Sequence, residues 1–141
     1  LLQVDNSISM GAELISGGTR IEESGYYMKP AILTGVTESM PVFNEETFGP
    51  VFSIISCNNI DKMIQIANNS NYGLGGSVWT QDINLGKSIA HRIETGAVFV
   101  NAFTRSDPRI PFGGIKKSGY GRELSKYGLL EFCNIKSISI F

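Results

Sequence analysis

The sequence predicts an α/β fold in which strands and helices alternate and form a mostly parallel sheet. Apolar residues recur at helical spacing in two segments, residues 60–67 and 85–93. Short apolar runs with β-branched or aromatic residues precede, separate and follow these segments, at 51–56, 77–80 and 97–100. The resulting order of strand, helix, strand, helix and strand is a βαβαβ unit.

The N-terminal residues 1–14 predict the tail of an amphipathic helix. Val4, Ile8 and Ile15 fall near one helical face. Because glycine adopts the left-handed backbone conformation that ends many helices, we expect Gly17-Gly18 to end this one.

The second helix of the βαβαβ unit carries its own boundary residues. Asp82 stands where a carboxylate can accept hydrogen bonds from the first main-chain N–H groups, and Gly96 is expected to end the helix. We interpret the apolar stripes of both helices as core packing, which is the ordinary role of such stripes.

Composition limits the classes of protein to which the chain can belong. At 141 residues, it has the size of one domain with a substantial core. The net charge of -1 leaves no basic stripe for nucleic acid, and no apolar run is long enough for a membrane span. The first residues, 1–5, contain no initiator Met, basic stretch or cleavage site, so we expect the chain to begin within a longer protein.

The cysteines and the histidine predict no metal site. Cys57 and Cys133 belong to no C-x-x-C pair and have no second metal ligand nearby in sequence. Two unpaired cysteines favour a reducing, cytoplasmic location, and we expect inert thiols rather than a reactive one. The single histidine, His91, has no carboxylate or serine partner in sequence, so we expect it to be solvated or to cap a helix.

The C-terminal residues 135–141 alternate apolar with polar side chains, as a half-buried strand does. A strand at a chain end must find a sheet to join, either another subunit's or one of the chain's own. We divide the chain accordingly into a body, residues 1–134, and a terminal strand, residues 135–141.

Two segments resemble the C-terminal part of the catalytic domain of aldehyde dehydrogenases. They are Asn44-Glu45-Glu46-Thr47-Phe48-Gly49-Pro50 and Pro111-Phe112-Gly113-Gly114-Ile115-Lys116-Lys117-Ser118-Gly119-Tyr120-Gly121-Arg122-Glu123. The resemblance continues in the family's order from Gly17-Gly18 through Tyr72-Gly73-Leu74 and Glu94-Thr95-Gly96 to Asn134-Ile135-Lys136. It covers nearly the whole chain.

The resemblance implies an NAD- or NADP-dependent oxidation of a small aldehyde. In that family the nucleophilic cysteine and the glutamate base lie upstream of the matched stretch, so no catalytic residue is expected in this chain, and we expect it to be inactive alone. The family also implies that the terminal strand joins an oligomerisation sheet, which predicts a homo-oligomer. The alternative is a non-catalytic interaction or structural protein that associates through this strand.

Within the first motif, the resemblance implies that Glu46 binds the nicotinamide-side ribose and that Phe48 packs beside the nicotinamide. The chemistry is suitable, because a carboxylate accepts from two neighbouring hydroxyls and an aromatic face packs on a flat ring. The Gly49-Pro50 bend can hold these side chains toward a cleft. Without the resemblance, two solvated acids and a core Phe would be the preferred interpretation.

Residues 101–122 are rich in Gly, contain Pro108 and Pro111, and show little apolar periodicity, which predicts a loop. Long loops in compact domains are commonly functional. The resemblance places Phe112 at the catalytic pocket and makes residues 102–110, with Phe103, the substrate-specificity loop.

Arg105 and Ser106 distinguish this loop from those of family members that act on apolar aldehydes. Those members tend to place an aromatic residue near the position of Ser106. A guanidinium beside a hydroxyl could hold a terminal carboxylate. The sequence of residues 106–109 most resembles that of bacterial succinate-semialdehyde dehydrogenases. The alternative is that Arg105 and Arg109 pair with surface acids such as Asp107.

Overall fold

The computed structural model describes residues 1–22 and 24–141, which form two compact units. The first unit comprises Leu1–Ile66 and the second Ala67–Phe141. The sequence had predicted a single body over residues 1–134. None of the helices in the described ranges combines the length and the apolar character that a membrane crossing requires.

The first unit is built on a mixed three-stranded sheet. Its elements are α1 (Leu2–Ser9), β1 (Glu13–Ser16), β2 (Ala31–Thr34), α2 (Pro41–Asn44), β3 (Val51–Ser53) and the start of α3 (Ile60–Asn68). The central strand β2 pairs antiparallel with β1 and parallel with β3. The predicted strand and helix at 51–56 and 60–67 are therefore present, with the strand shorter than expected.

The N-terminal helix is shorter than predicted. It ends at Ser9, and residues Glu13–Ser16 form β1 instead of a continuing helix. The reason is Gly11, which takes a φ of +107° that strains other residues and turns the chain back toward β2. Gly17 and Gly18 also have positive φ, but they follow the strand rather than end the helix.

A small apolar core fixes α1 against the sheet and α2. Its buried side chains are Val4, Ala12, Ala31, Leu33, Val36 and Met40. The buried hydroxyl of Ser7 donates to the Gln3 carbonyl at 2.8 Å and accepts from the Val42 amide at 3.2 Å. Because Ser7 lies in the last turn of α1, its hydrogen bond with Val42 links the end of this helix to α2.

The second unit contains two short sheets and two complete helices. Its elements are β4 (Tyr72–Gly73), β5 (Gly75–Val78), α4 (Ile83–Ala90), β6 (Ala97–Val100), β7 (Ile115–Lys116) and α5 (Ser125–Leu130). β5 and β6 are parallel and joined by α4, whereas β4 and β7 are antiparallel. The predicted strand 97–100 is confirmed, and the strand predicted at 77–80 lies two residues earlier.

The start of α4 confirms the predicted cap. The Asp82 carboxylate accepts from the amides of Asn84 at 2.9 Å and Leu85 at 3.1 Å. The helix ends at Ala90 rather than near Gly96, and His91 is its C-cap residue, with its amide donating to the Lys87 carbonyl at 3.1 Å.

The predicted order of strand, helix, strand, helix and strand is found in β3, α3, β5, α4 and β6, with the short strand β4 before β5. The prediction of one mostly parallel sheet is corrected, because β3 belongs to a different sheet from β5 and β6. Among the described residues, two strand pairs are parallel and two are antiparallel. Side-chain periodicity predicts where a strand lies and not which strand it meets, so pairing could not be derived from it.

The terminal residues 135–141 form no strand in the structure and are exposed. The alternative that they join one of the chain's own sheets is therefore wrong for the described residues. Their exposed main-chain N–H and C=O groups can bond to water, and no strand of the described sheets pairs with them. Its role in oligomerisation stays a prediction.

Candidate functional site

The predicted cofactor motif lies in the first unit, between α2 and β3. The Ala31 amide donates to the Pro50 carbonyl at 2.8 Å, which ties the end of the motif to β2. Within the motif, the Gly49 amide donates to the Thr47 carbonyl at 3.1 Å. These main-chain bonds give the short segment a defined path, as the Gly-Pro bend predicted.

The structure distinguishes the two adjacent glutamates of the motif. The Gln3 amide nitrogen, on α1, donates to Glu45 Oε2 at 2.8 Å and to the Glu46 carbonyl at 3.4 Å. The Glu46 carboxylate is exposed and makes no hydrogen bond or ion pair with residues 1–22 or 24–141. Glu45 is thus anchored, and Glu46 keeps its acceptor oxygens available.

Phe48 does not belong to the core of the first unit. Its side chain is 91% exposed, so the alternative of a core Phe is wrong in this structure. Between the two exposed side chains, the Thr47 hydroxyl is buried and has no hydrogen-bond partner among the described residues. The motif therefore turns Thr47 inward and presents Glu46 and Phe48 outward.

In the second unit, Asn101 fixes the start of the predicted specificity loop. It takes a left-handed φ of 54° directly after β6. Its side chain accepts from the Thr80 amide at 2.9 Å and donates to the Thr80 carbonyl at 2.8 Å. Asn101 was not predicted as a site residue, although Asn after a strand is a recognisable candidate for a left-handed turn.

Phe103 lies two residues further along this loop. Its ring meets the Trp79 ring edge to face, with centroids 5.2 Å apart and an interplanar angle of 62°. Phe103 is still 78% exposed. Edge-to-face contact orients the ring without burying it, so one face stays accessible to another molecule.

Asp107 and Arg109 form a fork within the loop. Arg109 Nε donates to Asp107 Oδ1 at 2.9 Å, Nη2 donates to Oδ2 at 2.6 Å, and the Arg109 amide donates to Oδ1 at 2.9 Å. The side-chain hydrogen bond first, and then the main-chain one, hold the pKa of Asp107 well below its usual range. The same contact raises the pKa of Arg109.

The alternative that both arginines pair with surface acids holds for Arg109 and not for Arg105 among the described residues. Arg109 pairs with Asp107, as the alternative proposed. Arg105 and Ser106 are both exposed, and within residues 1–22 and 24–141 their side chains make no hydrogen bond or ion pair. Arg105 acts on Asp107 only through its charge.

Phe112 is half-buried and lines a cavity of about 460 Å³. Its amide donates to the Glu123 carbonyl at 2.9 Å, and the Glu123 amide donates back to the Phe112 carbonyl at 2.8 Å. Arg122 and Glu131 line the same cavity. The structure thus gives Phe112 a fixed main chain and an accessible ring.

A larger open groove, of about 1280 Å³, follows α5 in the same unit. Its lining includes Pro108, Tyr127, Leu130 and Cys133, and none of the predicted site residues. Helix α5 was not predicted from the sequence, because Gly128 and its length of six residues hide the apolar spacing.

The two cysteines are free thiols. Cys57 is half-buried, whereas Cys133 is exposed and donates weakly to the Leu129 carbonyl at 3.5 Å. Across the described ranges, no group of three or more His, Cys, Asp or Glu side chains is placed to hold a metal ion.

These elements and motifs define a class of protein. Residues 2–138 match the model of the aldehyde dehydrogenase family, and the chain belongs to that family. It is 46% identical over 136 residues to succinate-semialdehyde dehydrogenase [NADP(+)] 1 of Mycobacterium ulcerans, which covers 96% of this chain and 30% of the relative. It is 43% identical over 136 residues to succinate semialdehyde dehydrogenase [NAD(P)+] Sad of Escherichia coli, covering 96% of this chain and 29% of the relative.

Solved structures agree with this assignment. Succinic semialdehyde dehydrogenase from Streptococcus pyogenes, in complex with NADP+, matches with a TM-score of 0.92 and 43% identity over 98% of this chain and 30% of that chain. An aldehyde dehydrogenase of Mycobacterium tuberculosis complexed with NAD+ matches with a TM-score of 0.86 and 41% identity, covering 92% of this chain and 27% of that chain. The chain spans about 30% of the length of these relatives.

Proposed function

We propose that this chain is part of an NAD- or NADP-dependent dehydrogenase that oxidises succinate semialdehyde to the dicarboxylic acid. The observation that carries the proposal is the exposed pair of Arg105 and Ser106, whose side chains have no hydrogen-bond partner among the described residues while the neighbouring Arg109 is held by Asp107. The identity to proteins named for this substrate supports it.

On the cofactor side, Glu46 and Phe48 suit the predicted roles. The Glu46 carboxylate has free acceptor oxygens for a ribose diol, and the exposed Phe48 ring offers a face to a flat heterocycle. When bound, the nicotinamide cofactor would accept the hydride that the aldehyde loses. The anchoring of Glu45 by Gln3 would keep the neighbouring Glu46 carboxylate directed outward.

On the substrate side, different residues would contact the carboxylate and the carbon chain of the aldehyde. Arg105 and Ser106 would bind the carboxylate by charge-assisted hydrogen bonds. Phe103 and Phe112 would pack against the carbon chain and exclude water from it. The nucleophilic cysteine and the glutamate base would come from outside these 141 residues.

The direct test is an assay of the complete purified protein with succinate semialdehyde and either cofactor. The absorbance of the reduced nicotinamide measures the reaction. We expect oxidation with at least one cofactor. Failure to oxidise this aldehyde, with activity on other aldehydes, would overturn the substrate and keep the family. Failure with all aldehydes would favour a protein that associates without catalysis.

The isolated 141-residue chain is expected to oxidise no aldehyde at any pH, because neither Cys57 nor Cys133 lies in a matching nucleophile motif. The measurement is the same absorbance assay on the chain and on a variant with both cysteines replaced by Ser. Activity that both proteins share would come from a contaminating enzyme. Activity lost with the cysteines would contradict the assignment.

The terminal residues 135–141 would join a sheet of a second subunit. Ile135 is 91% exposed and Ile140 is 94% exposed, so the apolar side chains of this segment are uncovered. An edge strand of a second copy would pair with the main chain of this segment and cover its apolar side chains.

In the complete protein, replacing Ile138 and Ile140 together with Lys is expected to reduce the oligomeric state, because burying two charges against a partner sheet is costly. The matched control replaces Ser137 and Ser139 with Lys, which adds the same charge to the alternate positions. Light scattering after size-exclusion chromatography measures both. An unchanged mass for the Ile variant would contradict the role of the strand.

A further inference from the structure

The segment from Phe112 to Glu123 is closed by two kinds of contact. At its ends, Phe112 and Glu123 exchange main-chain hydrogen bonds of 2.9 and 2.8 Å. Inside it, the guanidinium of Arg122 donates from Nη1 to the Gly114 carbonyl at 3.0 Å and to the Gly121 carbonyl at 2.6 Å. One side chain therefore links the residues that follow Phe112 to those that precede Glu123.

The glycines in this segment explain why such a link is needed. Gly119 has a φ of +129° and Gly121 a φ of +77°. Gly114 is buried, and a Cβ there would lie 2.6 Å from Cβ of Ser118. Because glycine loses more backbone freedom on ordering than other residues, the segment needs side-chain contacts to keep one conformation.

We propose that Arg122 is a positioning residue for Phe112. By holding the two glycine carbonyls, its guanidinium fixes the segment so that the Phe112 ring keeps one place in the 460 Å³ cavity, against the substrate carbon chain. This inference rests on the proposed function, which puts Phe112 beside the substrate.

The contact geometry favours positioning over direct substrate binding by Arg122. Nη1 carries two hydrogens, and each has a carbonyl acceptor in the structure. The side chain is half-buried, and its Cδ approaches the backbone of Gly113, where an added Cβ would lie 3.1 Å away. A guanidinium held in this way supports the residues around it, whereas Arg105 in the same unit has no such partner.

The test is a double-mutant cycle in the complete dehydrogenase, measured as kcat/KM for succinate semialdehyde. Phe112→Ala and Arg122→Met are each expected to lower kcat/KM by about tenfold or more, since a misplaced pocket wall loses substrate orientation. In the Phe112→Ala background, Arg122→Met is expected to add less than about twofold, because the residue that it positions is already gone.

A purely structural Arg122 would reduce activity by the same factor in both backgrounds, and that result would overturn the inference while leaving the proposed function intact. An unchanged kcat/KM for Phe112→Ala would overturn the role of Phe112 and the inference with it. Lys117→Met is the matched control, because it removes one exposed positive charge from the same segment. If Arg122→Met does not fold, Arg122→Lys enters the same cycle.

Discussion

Arg105→Ala in the complete dehydrogenase is expected to lower kcat/KM for succinate semialdehyde by roughly ten- to a hundredfold. The reason is the loss of the proposed charge-assisted hydrogen bond to the substrate carboxylate, which would be worth about 1.5–3 kcal/mol. The effect should fall mainly on KM, because the carboxylate contact exists both before and during the reaction. Steady-state kinetics with succinate semialdehyde measure it.

An uncharged aldehyde of similar length provides the necessary comparison. Its kcat/KM should change little in Arg105→Ala, whereas a distorted loop would reduce the rates with both aldehydes. Arg109→Ala serves as the matched arginine variant, because its guanidinium is held by Asp107 and its loss should affect both aldehydes alike. Equal losses in Arg105→Ala would defeat the carboxylate contact.

Glu46→Gln is expected to slow cofactor reduction in a single turnover by about ten- to a hundredfold and to weaken cofactor binding less. A charged hydrogen bond is worth about 1.5–3 kcal/mol, and its loss chiefly misplaces the nicotinamide relative to the aldehyde. Rapid mixing of enzyme, cofactor and excess aldehyde measures the rate, and cofactor titration measures the affinity. Phe48→Ala should change both quantities in the same direction.

Glu45→Gln is the matched control for this experiment. It makes the same chemical change at the next position, where the side-chain oxygen can still accept from Gln3. We expect its single-turnover rate to stay close to that of the unaltered protein. Unchanged rates in Glu46→Gln, or equal losses in the two variants, would remove Glu46 from the cofactor site.

The sequence predicted local elements well where one residue decides the outcome. Asp82 caps α4 because its carboxylate reaches two amides within three residues, which is a purely local interaction. The N-terminal helix was predicted too long because helical spacing of Val4 and Ile8 gave no weight to Gly11, whose backbone turns the chain into β1. Strand pairing depends on residues far apart and was not predictable from spacing.

The same distinction applies to the candidate site. The resemblance supplied Glu46 and Phe48 as candidates. Only the fold shows that Gln3 donates to the Glu45 carboxylate, which distinguishes Glu45 from the adjacent Glu46. Likewise, the sequence left open whether Arg105 or Arg109 pairs with a surface acid such as Asp107. Only the geometry of Asp107 shows that Arg109 is its partner. Contacts of this kind cannot be derived from residue type.

The fork of Asp107 and Arg109 also determines how the loop acts on a distant anion. Its two charges cancel and, because the pKa of Asp107 is lowered and that of Arg109 is raised, they continue to cancel across the neutral pH range. Of the three charges on residues 102–110, only that of Arg105 is then left uncompensated. One such charge attracts the carboxylate of the proposed substrate weakly, and salt screens this attraction within a Debye length of about 10 Å at 0.1 M.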